Sequence, residues 1–173
     1  MGLKGIAHAN EIPQIIESYN QSSIIDLPPE ESIQQSISCN VAICSNLPRS
    51  LKSAEALGFK NIHVSDSIYR EIDLPHFKRG SIALPLTAWI VLFRVMSILG
   101  FSPNGESISM AKKRARLAAS NLIQKAHEFE RIVLVGHGFI NYFIAKELIS
   151  RKWIGPSKPG NKYWECAVYR YNE

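Results

Sequence analysis

Ile132-Val133-Leu134-Val135-Gly136-His137-Gly138-Phe139-Ile140 is the stretch on which the fold turns. Four apolar residues, three of them β-branched, read as a buried parallel strand. Gly136 allows a sharp turn at the carboxyl end of that strand, and Gly138 opens the next segment. Phe139 to Ser150 follows at helical spacing, with Phe139, Phe143 and Ile144 on one side. His137 is thereby placed on a strand-to-helix turn. Open α/β sheets hold ligands at such turns, where the free N–H groups of a helix start favour anions. A histidine that merely caps a helix would show the same pattern.

A second turn of this kind lies upstream. Val41-Ala42-Ile43-Cys44 reads as a buried strand, Ser45-Asn46-Leu47-Pro48 as the turn, and residues 48–57 as a helix closed by Gly58. Arg49 stands in the first helical turn. A cation there opposes the helix dipole, unless an anion sits between them, and a guanidinium offers that anion two parallel hydrogen bonds. The plain alternative is a surface arginine paired with Glu55.

The remaining pattern fits the same architecture. Helices are predicted over residues 11–19, 30–38 and 87–99, and from Pro103-Asn104-Gly105 to about Glu128. Short strands are predicted over 61–64 and 163–171. Helices alternating with strands argue for a three-layer α/β/α sandwich with a mostly parallel central sheet, formed by residues 1–173 as one domain. The apolar segment within residues 75–103, with Trp89 and Phe93, is expected to form an insertion covering the pocket.

Bulk properties narrow the function. Of 173 residues, 46% are apolar and 20% charged, which suits a globular chain, and the net charge is +5. The one dense basic run, Lys112 to Arg116, reads as a solvated helix face. It lacks the interleaved aromatics of a nucleic-acid surface, so no nucleic-acid partner is expected. Ile82 to Phe101 is the most apolar stretch, but Arg94 near its centre argues against a membrane span. Cys39, Cys44 and Cys166 are odd in number and lack metal-ligand spacing. They suit a reducing, cytoplasmic setting, with Cys44 packed as a small hydrophobe. No histidine pair has metal-site spacing, so neither metal nor other cofactor is expected.

Taken together, the motifs resemble the histidine phosphatase superfamily, the phosphoglycerate mutase-like group. Ser45-Asn46-Leu47-Pro48-Arg49-Ser50-Leu51-Lys52-Ser53-Ala54-Glu55 is similar to its phosphate-binding segment. Val133-Leu134-Val135-Gly136-His137-Gly138 is similar to its second histidine motif. Arg70-Glu71 and Gly105-Glu106-Ser107 fit its pattern as well. The resemblance spans roughly residues 40–150 and implies a phosphoglycerate mutase-like fold and a metal-independent phosphomonoesterase acting through phosphohistidine. It makes Arg49 and His137 the phosphate-binding residues and Glu71 the proton donor to the leaving oxygen. The implied partner is a phosphorylated small molecule or free phosphate, with no membrane; a homodimer is the oligomer considered.

The chain departs from that pattern at its start. The family places an Arg-His-Gly motif on the first, central strand. Here the nearest match is Gly5-Ile6-Ala7-His8-Ala9, and Met1 to Gly5 makes a poor central strand. Three readings stand. His8 is the nucleophile on a stunted strand; or the chain begins after the true strand; or catalysis is lost and a phosphate pocket kept. A missing central strand would expose ladder groups, and a rearranged N-terminus or pairing with a second chain is then expected. The competing function is a noncatalytic phospholigand-binding or interaction protein. A third class, an α/β hydrolase using Ser45 or a cysteine with His137, lacks the Gly-x-Ser-x-Gly elbow.

Overall fold

A computed structural model of the chain describes residues 5–24, 26–160 and 162–171. The start of the doubtful first strand, residues 1–4, lies outside the described residues. The protein is an α/β/α sandwich with a mostly parallel central sheet, of the phosphoglycerate mutase-like kind. Strands β1 (Ile6–His8), β2 (Val41–Cys44), β3 (Ile62–Ser65), β4 (Ala83–Pro85), β5 (Ile132–Val135), β6 (Trp153–Ile154) and β7 (Arg170–Tyr171) are joined by six helices. These are α1 (Ile12–Asn20), α2 (Glu30–Ile37), α3 (Pro48–Ala56), α4 (Leu86–Ile98), α5 (Ile108–Phe129) and α6 (Gly138–Ser150).

The central sheet is parallel, in the order β3-β2-β5. Alternation along its strands separates two layers. Ile43, Ile132 and Leu134 pack toward α5 and α6, whereas Ala42, Cys44, Val133 and Val135 pack toward Ala54 and Leu51 of α3. Helix α5 approaches closely because its buried face is built of alanines: Ala111, Ala115, Ala118 and Ala119 are all fully buried. Its start lies a few residues later than the sequence suggests. Ser107 is the N-cap, its hydroxyl accepting from the Met110 N–H, and residues 103–105 form the turn ahead of it.

The N-terminal strand belongs elsewhere. β1 pairs antiparallel with β4, Ala7 opposite Leu84, in a two-stranded sheet of its own. The Trp89 indole N–H donates to the Ala7 carbonyl at 2.9 Å. Ala7, Ala9, Ile12, Trp89 and Phe93 then form a second core, so the 75–103 segment packs against the chain start. The end of the chain is also less regular than its alternation predicts. Only Arg170–Tyr171 of the 163–171 stretch is strand, paired with β6.

Among the described residues β5 is therefore an edge strand, although it is the most apolar strand of the sheet. The Arg131 and Val135 carbonyls accept from the Asn40 and Ser45 N–H groups, so odd-numbered residues face β2. In a parallel ladder the backbone groups of Ile132 and Leu134 then face away from β2. An open cavity of about 2200 Å³ lies along that edge, with Leu122, Ile144, Trp153 and Tyr169 in its walls. Hydrogen exchange is expected to show this directly: the Ile132 and Leu134 amides exchange faster than those of Val133 and Val135. Equal protection of all four would contradict the open edge.

Candidate active site

The β2–β5 pairing sets the two sequence-predicted turns side by side, with Cys44 opposite Val135. The Val135 carbonyl accepts from both the Ser45 N–H and the Ser50 hydroxyl, which ties the turns together. Ser45 and His137 consequently meet: Oγ of the fully buried Ser45 lies 2.7 Å from Nε2 of His137. A Cβ on Gly136 would run into the Asn141 amide oxygen, so any larger residue there would have to displace that side chain.

Arg49 projects from the first turn of α3 into the same cavity. Its Nη1 donates to the Tyr19 carbonyl at 3.1 Å, and the guanidinium stacks 4.6 Å from the Tyr19 ring centroid. The carboxyl end of α1 thus holds a cation against opposing helix dipoles, carbonyls behind and the α3 start ahead. Burial lowers the Arg49 pKa, the Tyr19 hydroxyl and Glu71 opposing that shift.

Glu71 lies in the segment after the 3-10 turn Ser67–Tyr69 and caps α6 from outside. Its carboxylate accepts from the Phe139 and Ile140 N–H groups, both at 3.2 Å. His137 occupies the N-cap position but makes no side-chain cap bond, so Glu71 satisfies donors that the helix leaves free. The segment is fixed by Arg114, which sequence reading had assigned to a solvated face. Arg114 pairs with Glu106 and donates to the carbonyls of Ile68 and Arg70. Arg70 donates to the Asn46 side chain on the neighbouring turn. No local pattern distinguishes Arg114 from its basic neighbours; Glu106 eight residues earlier, just ahead of the α5 N-cap, is its only trace in the sequence.

The electrostatic consequence falls on His137. Burial, then the charges of Arg49, Arg114 and Arg70, push its pKa down to about 3. The imidazole is neutral at ordinary pH, in a setting that would accept an anion. Cys44, buried behind it, has its thiol pushed up to about 11 and is inert packing.

Arg49, Glu71 and His137 all line the cavity beside β5. The structure does not bring His8 to them. His8 is exposed, its Nδ1 lies 2.9 Å from the Ser81 carbonyl oxygen, and it is not among the cavity residues. Among the described residues no cluster of three or more His, Cys, Asp or Glu suits a metal ion, and no helix is long and apolar enough to cross a membrane.

A family model described as the histidine phosphatase superfamily (branch 1) matches residues 31–171. The chain belongs to the histidine phosphatase superfamily. A solved structure agrees on the fold. The product of open reading frame Rv3214 from Mycobacterium tuberculosis superposes with a TM-score of 0.50 at 15% identity, covering 88% of each chain. The mycobacterial glucosyl-3-phosphoglycerate phosphatase Rv2419c is similar with a TM-score of 0.47 at 20% identity, covering 69% of this chain and 64% of its own. No curated protein sequence matches.

The His137 shift has a sign that can be worked out. Its pKa in the folded chain, about 3, lies below the value of about 6.5 expected in the unfolded chain. As pH falls below about 6.5 the unfolded state takes up a proton that the folded state refuses until about pH 3. Stability present above pH 6.5 is therefore lost progressively across that window. Urea unfolding at pH 7.5 and 4.5 should show the wild type losing about 2 kcal/mol more than His137→Asn over that interval. Equal losses would contradict a neutral, desolvated imidazole.

Proposed function

We propose that this cleft takes the phosphoryl group of a phosphomonoester, with Arg49 and His137 holding its oxygens. The observation that supports this reading is the neutral His137 among three guanidinium groups, Arg49, Arg70 and Arg114. Such a site has surplus positive charge fixed in place before any ligand arrives, which is the principal requirement for stabilising a phosphoryl group. Burial first and the guanidinium charges second keep His137 unprotonated; an arriving anion offsets those charges and so raises its pKa.

Hydrolysis on this reading follows the phosphohistidine route of the superfamily, without metal. A histidine nitrogen attacks phosphorus, the ester oxygen leaves with a proton from Glu71, and water then releases phosphate from the histidine. His8 is the nucleophile proposed from the sequence. The Pro75 to Phe101 segment, whose Trp89, Ile90 and Phe93 line the cavity, is proposed as its cover.

One observation favours a second reading, in which the chain binds a phospholigand without turning it over. His8 is held by Ser81 on the separate β1–β4 sheet, away from the cavity residues. Attack by His8 requires that pairing to break.

A single set of proteins separates these readings. Phosphate release from an aryl phosphate in chelator-treated buffer is measured for the wild type, His8→Ala and His137→Ala, and phosphate binding is measured by calorimetry for the wild type and Arg49→Ala. Arg49→Ala is expected to weaken binding at least tenfold, the worth of one charge-assisted pair. Turnover lost in both His8→Ala and His137→Ala supports phosphohistidine chemistry on His8. Binding without turnover supports the second reading. Phosphate binding indifferent to Arg49 would overturn both.

A further inference from the structure

Two of the three cysteines, Cys39 and Cys166, line the cavity but play no part in the phosphoryl reading. They lie 127 positions apart in the sequence, and the packing of residues 162–171 against α2 brings them together. At one end of that packing the Ser32 hydroxyl donates to the Trp164 carbonyl at 2.7 Å. The Cys166 thiol turns back to the same carbonyl, 3.6 Å from it. At the other end Tyr171 meets His127 edge-on, with ring centroids 6.4 Å apart. The last turn of α5, which carries His127, also holds the far end of α2: the Asn40 side-chain amide donates to the Phe129 carbonyl at 2.7 Å. Residues 164–171 therefore run alongside α2 from Ser32 toward Asn40, and Cys39 stands at the end toward which they run.

The spacing suits a cross-link. Ser32, Ser36 and Cys39 recur at helical intervals and so share a face. Cys39 lies about 10 Å beyond Ser32 along the axis, and two residues of extended chain from Trp164 to Cys166 cover about 7 Å of that rise. The axial offset left is a few ångströms, against the Cα separation of about 4.4–6.8 Å that a disulfide spans. Burial raises the Cys39 pKa above the ordinary thiol value, and Cys166 is among the groups whose charge Cys39 feels. Among the described residues, no backbone N–H of residues 165–168 bonds outside the segment, so the chain there can shift to meet disulfide geometry.

We propose that Cys39 and Cys166 are a redox pair, closed by a small disulfide such as oxidised glutathione into a reversible cross-link that pins residues 162–171 to α2. The exposed Cys166 thiolate attacks one glutathione sulfur, the glutathione disulfide breaks, and one glutathione leaves and takes up a proton. The Cys39 thiolate then attacks the Cys166 sulfur of the mixed disulfide and expels the second glutathione. Two thiol protons and two electrons pass to the oxidant in all. Residues 162–171 form part of the cavity wall, so the cross-link fixes that wall.

The test treats the full chain with oxidised glutathione, blocks remaining thiols under denaturing conditions, and analyses the digest by mass spectrometry. Two of the three thiols should be lost, in one cross-linked peptide pair holding residues 39 and 166, with Cys44 blocked as a free thiol. Dithiothreitol should restore all three. Amides of residues 165–168 should exchange more slowly in the oxidised wild type than in the reduced one, and at one rate in Cys166→Ser under both conditions. Glutathione retained on Cys166 without the cross-link overturns the proposal. So does a covalent dimer, the survival of all three thiols, or a cross-link that leaves exchange unchanged.

Discussion

The parallel ladder between β2 and β5 is the constraint on which the site depends. Each strand ends in a strand-to-helix turn, and the register that sets Cys44 against Val135 delivers Ser45 and His137 to hydrogen-bond distance. Side chains alternate along a strand, so a slip of one residue would turn Val133 and Val135 from the α3 layer to the α5–α6 layer. It would also withdraw the Val135 carbonyl from the Ser45 and Ser50 donors that converge on it. The site is thus a consequence of packing: the hydrophobic sorting of four residues decides where the imidazole goes.

Around that ladder the protein assembles cations and gives each a different means of support. Arg114 is satisfied internally and serves as a strut for the 68–71 segment. Arg70 is held by Asn46. Arg49 leans on α1 through a carbonyl and an aromatic face. Only part of this charge is neutralised by carboxylates, and the remainder adds to burial in suppressing the basicity of His137. The support is preorganised, which is what electrostatic recognition of a phosphoryl group needs.

The parts of this arrangement that were legible in the sequence are those encoded locally. A β-branched run followed by Gly-His-Gly, and a strand followed by Ser45 and Arg49, each specify a turn within about ten residues. Arg114 was not legible as a site element, because it is distinguished only by carbonyls more than forty residues away. The sequence around His8 leaves a stunted strand and a loop both open; Ile6 to His8 is a strand, and its partner is β4, which no local pattern announces. The alternation of residues 163–171 likewise promises a longer strand than forms; pairing is confined to Arg170 and Tyr171.

Glu71 has a consequence of a different kind. Its carboxylate already occupies the start of α6, where a helix would welcome a foreign anion. The protein thus carries a tethered carboxylate of its own at the N–H groups that a dissolved anion would otherwise seek. A visiting anion gains those two N–H groups only by evicting it.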